Sequence, residues 1–165
     1  MSQGYYLQAL SQTLRELLPP KCRKDFDAWM QDGTLHLAPE DGGRGMRLAR
    51  LDYRAVFLIE ELPFKELDPA VVLATVAAWL QDHDQERERF ELPDPDYDVE
   101  PIDDNTADLT ISVQFSEPLN LEPDDQGPVV YGGVRYRVAP YEVWVAEQAR
   151  IQVSGAGESS VGGDQ

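Results

Sequence analysis

The stretch Arg47-Leu-Ala-Arg-Leu-Asp-Tyr-Arg-Ala-Val-Phe-Leu-Ile-Glu-Glu61 decides how this chain folds. Leu51, Tyr53, Ala55, Phe57 and Ile59 recur at every second residue, the period of a strand whose side chains alternate between two faces. The intervening positions begin polar (Arg50, Asp52, Arg54) and end apolar (Val56, Leu58), which predicts a strand whose far end is covered on both sides. Downstream, Leu109, Ile111, Val113 and Phe115 alternate with Thr110, Ser112, Gln114 and Ser116, the pattern of a half-buried strand with one wet face. Two helices flank the first strand. Leu7, Leu10, Leu14, Leu17 and Leu18 fall at three- and four-residue spacings and predict a helix over 3–18, ended by Pro19-Pro20. Asp68-Pro69 supplies an N-cap and a proline at the first helical position. The helix it starts runs to about Asp82 and buries Val72, Leu73, Val76, Trp79 and Leu80.

The remaining elements are shorter. Residues 25–31 read as a short helix burying Phe26, Trp29 and Met30 and stopped by Asp32-Gly33, followed by a short strand over 34–37. Asp41-Gly-Gly-Arg-Gly45 reads as a mobile loop, and 130–138 and 141–153 as further strands, the first interrupted by Gly132-Gly133. The order α-α-β-β-α-β-β-β predicts an α+β fold, a mostly antiparallel sheet with two main helices on one face. One domain over 1–153 is expected, with a disordered Gly/Ser-rich tail over 154–165.

The 165 residues are 42% apolar, enough to bury a core without metal or disulfide support. With 31 Asp and Glu against 14 Lys and Arg the formal charge is −17, and an acidic surface repels phosphate backbones and anionic membranes alike. Cys22 is the only cysteine, so an intrachain disulfide and a multi-cysteine zinc site are excluded. Residues 1–12 lack the charged and apolar regions of a secretory signal, and the apolar run 69–80 is too short for a bilayer. A soluble protein made in the cytoplasm is the expectation. The charge is local: residues 81–126 hold 16 acids and 2 bases, a net of −14, while the chain on either side is close to neutral. Leu92-Pro-Asp-Pro-Asp-Tyr-Asp-Val-Glu-Pro101 reads as an extended, solvated connection, and Leu121-Glu-Pro-Asp-Asp-Gln-Gly-Pro128 as an acidic turn.

Catalytic patterns are scarce. His36 and His83 belong to no metal-binding motif and read as structural, and Gly155-Ala-Gly157 lacks the context of a dinucleotide or phosphate loop. Asp94, Asp96 and Asp98 alternate, which splays their carboxylates, and the glycine and distal glutamate of an EF-hand are absent. Lys21, Arg23 and Lys24 around Cys22 favour a lowered thiol pKa, but no partner base can be named. No catalytic, metal or cofactor site is expected, and the chain reads as a non-enzyme. Arg47, Arg50, Arg54, Arg135 and Arg137 cluster on strands. They have two readings: a solvated face with cross-strand ion pairs, or a patch that meets another copy's acidic segment head to tail and permits a ring.

The series of features resembles the tail completion protein R family of contractile-tailed phages. It comprises the N-terminal amphipathic helix, Trp29-Met-Gln-Asp-Gly33, the Tyr53-containing long strand and the helix closing in Ala78-Trp-Leu80. It continues through an acidic connection carrying Phe90, Asp108-Leu-Thr-Ile-Ser-Val-Gln-Phe-Ser-Glu117 and Pro140-Tyr-Glu-Val-Trp-Val145. The collinear order over roughly residues 5–153 carries the likeness, more than any single motif; the Asp/Pro-rich connection, the glycine loop and the tail depart from it. The resemblance implies a tail-terminator-like α+β fold and a structural protein of the virion tail or neck, assembled in the bacterial cytoplasm. It implies a ring, as a hexamer, bound to tube or sheath subunits at the head-proximal end and to neck or head-completion proteins. DNA is then only a passing neighbour, with Asp94, Asp96, Asp98, Asp124 and Asp125 lining or rimming its channel. The alternatives are an acidic interaction module or DNA mimic that binds a basic protein, and a metal-dependent hydrolase using the Asp-rich segment, the weaker of the two.

Overall fold

A computed structural model describes residues 5–41 and 45–139. Helices α1 (Tyr6–Leu17) and α2 (Pro20–Arg23) precede strands β1 (Phe26–Asp41) and β2 (Met46–Pro63). Helix α3 (Pro69–His83) and a 3-10 turn (Gln85–Arg87) lead to β3 (Asp96–Pro101), β4 (Thr106–Pro123), β5 (Val129–Tyr131) and β6 (Val134–Val138). All six strands form one antiparallel sheet in the order β1-β2-β4-β6-β5, with β3 on β4 beside β6. The fold is α+β as expected, and both main helices pack on one face. The expected strand over 141–153 and the Gly/Ser tail lie outside the described residues.

Burial follows the alternation of the long strands. Tyr53, Ala55, Phe57 and Ile59 of β2 and Leu109, Ile111, Val113 and Phe115 of β4 are buried under Leu7, Leu10 and Leu14 of α1 and Val72, Val76 and Leu80 of α3. An aromatic cluster ties the layers together: Tyr6 lies 5.7 Å from Trp79 and 5.3 Å from Phe115, and Tyr53 lies 5.7 Å from Phe115. At the start of α3 the Asp68 carboxylate accepts from the Ala70 N–H (2.9 Å), satisfying a donor that the helix itself leaves unpaired.

Three expectations are corrected. Residues 25–31 form no helix but open the 16-residue strand β1. Phe26, Trp29 and Met30 fit a helical spacing, yet Phe26, Ala28 and Met30 fit a strand equally well, and pairing with Ile59, Phe57 and Ala55 of β2 decides the contest. Trp29 consequently sits on the opposite face, where its indole N–H donates to Gln31 (3.0 Å). Asp32-Gly33 is a bulge rather than a stop: the register shifts between Gln31 and Thr34, with Asp32 at φ 53°. The second half of the Asp/Pro-rich connection is likewise a strand, β3, exposed along its whole length. Its hairpin is closed by Asp103, whose carboxylate accepts from the Asn105 and Thr106 N–H groups (both 2.8 Å). Residues 130–138 are two strands joined by Gly132 (φ 58°) and Gly133 (φ 79°), the two left-handed positions that a tight hairpin turn demands.

Candidate functional site

The register sorts the sheet into two faces. Asp27, Leu58, Thr110 and Asp98 lie side by side across four strands, as do Trp29, Val56, Ser112 and Asp96. Directly opposed residues share a face, so Asp96 and Asp98 belong to the side away from the helices. Among the described residues no helix covers that side, which corrects the expectation of full cover at the far end; Val56 is nevertheless buried within the sheet surface. Asp27 and Asp52 share this bare face with Asp96 and Asp98. Asp94 lies apart, ahead of β3, while Asp124 and Asp125 sit in the turn after β4, where Asp124 accepts from the Gln126 N–H (2.9 Å). These acids converge on no common point. Among the described residues no group of three or more His, Cys, Asp or Glu side chains could hold a metal ion. No helix among the described residues is long and apolar enough to cross a membrane.

The five arginines do not form one patch. Plain alternation would turn Arg47 away from Arg50 and Arg54, but the bulge between Arg47 and Ala49 sets it opposite Asn120, on the face where Arg50 stands opposite Pro118 and Arg54 opposite Gln114; Arg135 and Arg137 lie apart on β6. Arg54 pairs with Asp32, Arg137 with Glu122 (2.5 Å), and Arg135 donates to the Gly127 carbonyl (3.1 Å). Arg50 is only 6% exposed, so the solvated-face reading fails there. Its guanidinium lies on the Phe90 ring (3.9 Å) and donates to the Ser116 hydroxyl (3.0 Å) and carbonyl (2.7 Å). Arg87 does related work one step along β4, donating to the Gln114 carbonyl (2.9 Å) and the Pro93 carbonyl (2.7 Å) while pairing with buried Asp84 (2.8 Å). Among the described residues the outer edge of β4 between β3 and β6 has no strand partner, and these two arginines occupy its carbonyls.

Alternation through Phe115 places Glu117 on the helix side, a signal the sequence carries although no expectation was built on it. Glu117 is fully buried. One carboxylate oxygen accepts from the Tyr6 N–H (2.9 Å), the other from the Tyr53 hydroxyl, which in turn accepts from the Leu7 N–H (3.2 Å). Tyr5 gives α1 no side-chain cap, so a residue far along the chain satisfies the first turn and sets a carboxylate against the positive end of the helix. Burial raises the Glu117 carboxyl to about 7 despite the bonds from Tyr53 and Tyr6, and burial followed by the Glu117 charge raises the Tyr53 hydroxyl well above its usual value. Asp84 is raised by burial against the pull of Arg87.

The other candidates are structural. His83 stacks on Trp79 (4.8 Å) and donates to its carbonyl (3.0 Å), as expected of an imidazole at a helix C-terminus. His36 lies exposed on β1. The expectation of a lowered Cys22 pKa is overturned, because the thiol is buried and desolvation, opposed by Lys21, pushes it up.

A groove of about 710 Å³ runs between α3 and β3. Leu73, Val76, Leu80, Ile111 and Tyr97 line it, with Glu88 and Asp94 among its charged residues.

A family model described as P2 phage tail completion protein R (GpR) matches residues 4–140. A protein of Haemophilus phage HP1 (strain HP1c1), described as an "Uncharacterized 19.2 kDa protein in rep-hol intergenic region", is 33% identical over 147 residues, 88% of this chain and 89% of that protein. No solved structure matches the chain.

Proposed function

The chain belongs to the P2 phage tail completion protein R family, and from that premise we propose that it caps the head-proximal end of the tail as a hexameric ring and readies it for head joining. The family is structural rather than enzymatic, and its members complete phage tails. The work is binding: a ring of matched surfaces ends the growth of tube or sheath subunits and offers a new surface to neck or head-completion proteins.

The observation that carries the ring is a sheet with open edges on opposite sides. Among the described residues β1 has no outer partner on one side, and β5 has none on the other. An edge of one copy laid against the opposite edge of the next is a heterologous contact, which closes into a ring when the rotation allows. Both sides carry exposed apolar residues to bury, Leu35 and Leu37 on β1 and Val130, Tyr131 and Val134 on the β5–β6 hairpin. Arg47, Arg54, Arg135 and Arg137 flank these edges and steer the approach to a neighbour's acids, while Arg50 holds its own subunit together. Facing inward, the bare face would line the DNA channel with Asp96 and Asp98, and Asp94, Asp124 and Asp125 would lie toward its rim; like charge keeps a passing genome from sticking.

Mass measurement and electron microscopy of the purified protein, alone and with tail tube subunits, test the ring. Closed rings seated on tube ends are expected, and a strict monomer that binds neither tube nor neck proteins ends this reading. Replacing Asp94, Asp96 and Asp98 together by Asn should leave rings intact and slow DNA exit; unchanged ejection removes the channel role.

A further inference from the structure

The groove between α3 and β3 lies against helix α3, and Asp96 at the start of β3 also contributes to its wall. We propose that it docks an extended, basic segment of a different virion protein, laid as an added strand along β3. The proposal rests on the tail-completion reading, because tube, sheath and neck proteins are the source of that segment.

Three observations point to this occupant. The first is the apolar floor: Val76, Leu80 and Ile111 are buried in the core, and Leu73 and Tyr97 extend the apolar surface outward, Tyr97 with 61% of its surface exposed. The second is the free edge beside it. The Ile102 N–H donates to the Thr106 carbonyl (3.0 Å), so alternation turns the main-chain groups of Tyr97 and Val99 outward, where no strand pairs with them among the described residues. Pro95 and Pro101 bracket this edge, so it can take a short added strand without templating an extended one. The third is charge. Glu88 and Asp94 stand exposed at the groove, whereas Arg87 beside them is engaged by Asp84.

A second copy is a poor match for this sign. Each copy brings 31 acids against 14 bases, and its segment 81–126 alone holds 16 acids and 2 bases. The complement therefore comes from another protein, one whose segment alternates apolar residues with Lys or Arg.

The test uses overlapping peptides tiling the tube, sheath, neck and head-completion proteins encoded by the same phage, together with peptides of this chain, bound to the intact protein. The expected binders are net positive segments with alternating apolar residues, and they slow hydrogen exchange at the Tyr97 and Val99 amides. Ala77, exposed on α3 at the groove, is a site where Arg suits a helix; Ala77→Arg should weaken binding by about tenfold or more with Tm unchanged. Glu88→Gln with Asp94→Asn should weaken it in the same direction, most at low salt. The proposal is overturned if the binders are neutral or acidic, if they come from this chain itself, if protection falls elsewhere, or if no peptide binds. Should these failures occur while the protein still caps tube ends, the groove assignment alone is lost; if neither tube nor neck proteins bind at all, the tail reading falls with it.

Discussion

The two ends of the sheet are built from the same long strands and meet opposite fates. Where α1 and α3 lie over β2 and β4, Phe57, Ile59 and Leu109 are fully buried. At the other end Leu35 and Leu37 of β1 stand opposite Leu51 and Ala49 of β2, on the face the helices would cover, yet they are 55% and 76% exposed. The alternation is equally good at both ends; cover is what differs. Strands that outrun the described helices leave apolar surface open, and contiguous open apolar surface is the kind that interaction sites are made of.

The sharpest way to break this comparison is to remove one large side chain from each end. Phe57→Ala should cost about 3–5 kcal/mol in urea unfolding, through lost transfer energy and the cavity left behind. Leu37→Ala should stay within about 0.5 kcal/mol, as exposed positions do. Equal costs would mean that the open end is as firmly cored as the covered one.

Glu117, paired across β2 and β4 with Leu51, stands at the seam between the two ends. Glu117→Ala leaves the Tyr6 N–H and the Tyr53 hydroxyl without their buried acceptor and should cost about 1–3 kcal/mol. The same residue gives a pH signature. Folding raises its pKa from the ordinary 4.5 to about 7, so the folded chain holds a proton that the unfolded chain has released. That contribution is complete below 4.5 and is lost as the pH climbs through about 7. Asp84, also raised, adds the same sign. Denaturation midpoints of the wild type should therefore fall over this range, and Glu117→Gln should flatten the profile. A wild-type profile that rises instead would show that the site stabilises the charged form.

The smallest effect on stability is expected where the effect on assembly is greatest. Leu35→Ser with Leu37→Ser should leave Tm within a degree or so of the wild type and abolish rings in electron micrographs. Rings that persist would place the copy-to-copy contact elsewhere on the sheet.

Much of this architecture is legible in the residues themselves, because long strands repeat their signal. Leu51 to Ile59 and Leu109 to Phe115 each alternate through several residues, and both helices start or stop on prolines. Short segments carry less. Phe26, Trp29 and Met30 satisfy two periods at once, and only the partner strand distinguishes them. The acids of β3 announce solvent truthfully but hide a strand, since an edge strand exposed throughout needs no apolar alternation of its own. The site residues were the least legible. Arg50 looks like its neighbour Arg54, and nothing local reveals that Phe90 arrives from a distant turn to cover it. Glu117 belongs to a cap whose helix lies at the other end of the chain.

That last separation also sets an order in time. The first turn of α1 and the carboxylate that caps it are 111 residues apart, so a ribosome adding roughly 5–20 residues per second makes the helix well before its cap. Until β4 emerges, the Tyr6 amide lacks the Glu117 carboxylate and the leucine stripe of α1 has only part of its sheet, β1 and β2, to lie on. Helix α1 is thus made well before it can lock, and the core closes only once β4 has emerged.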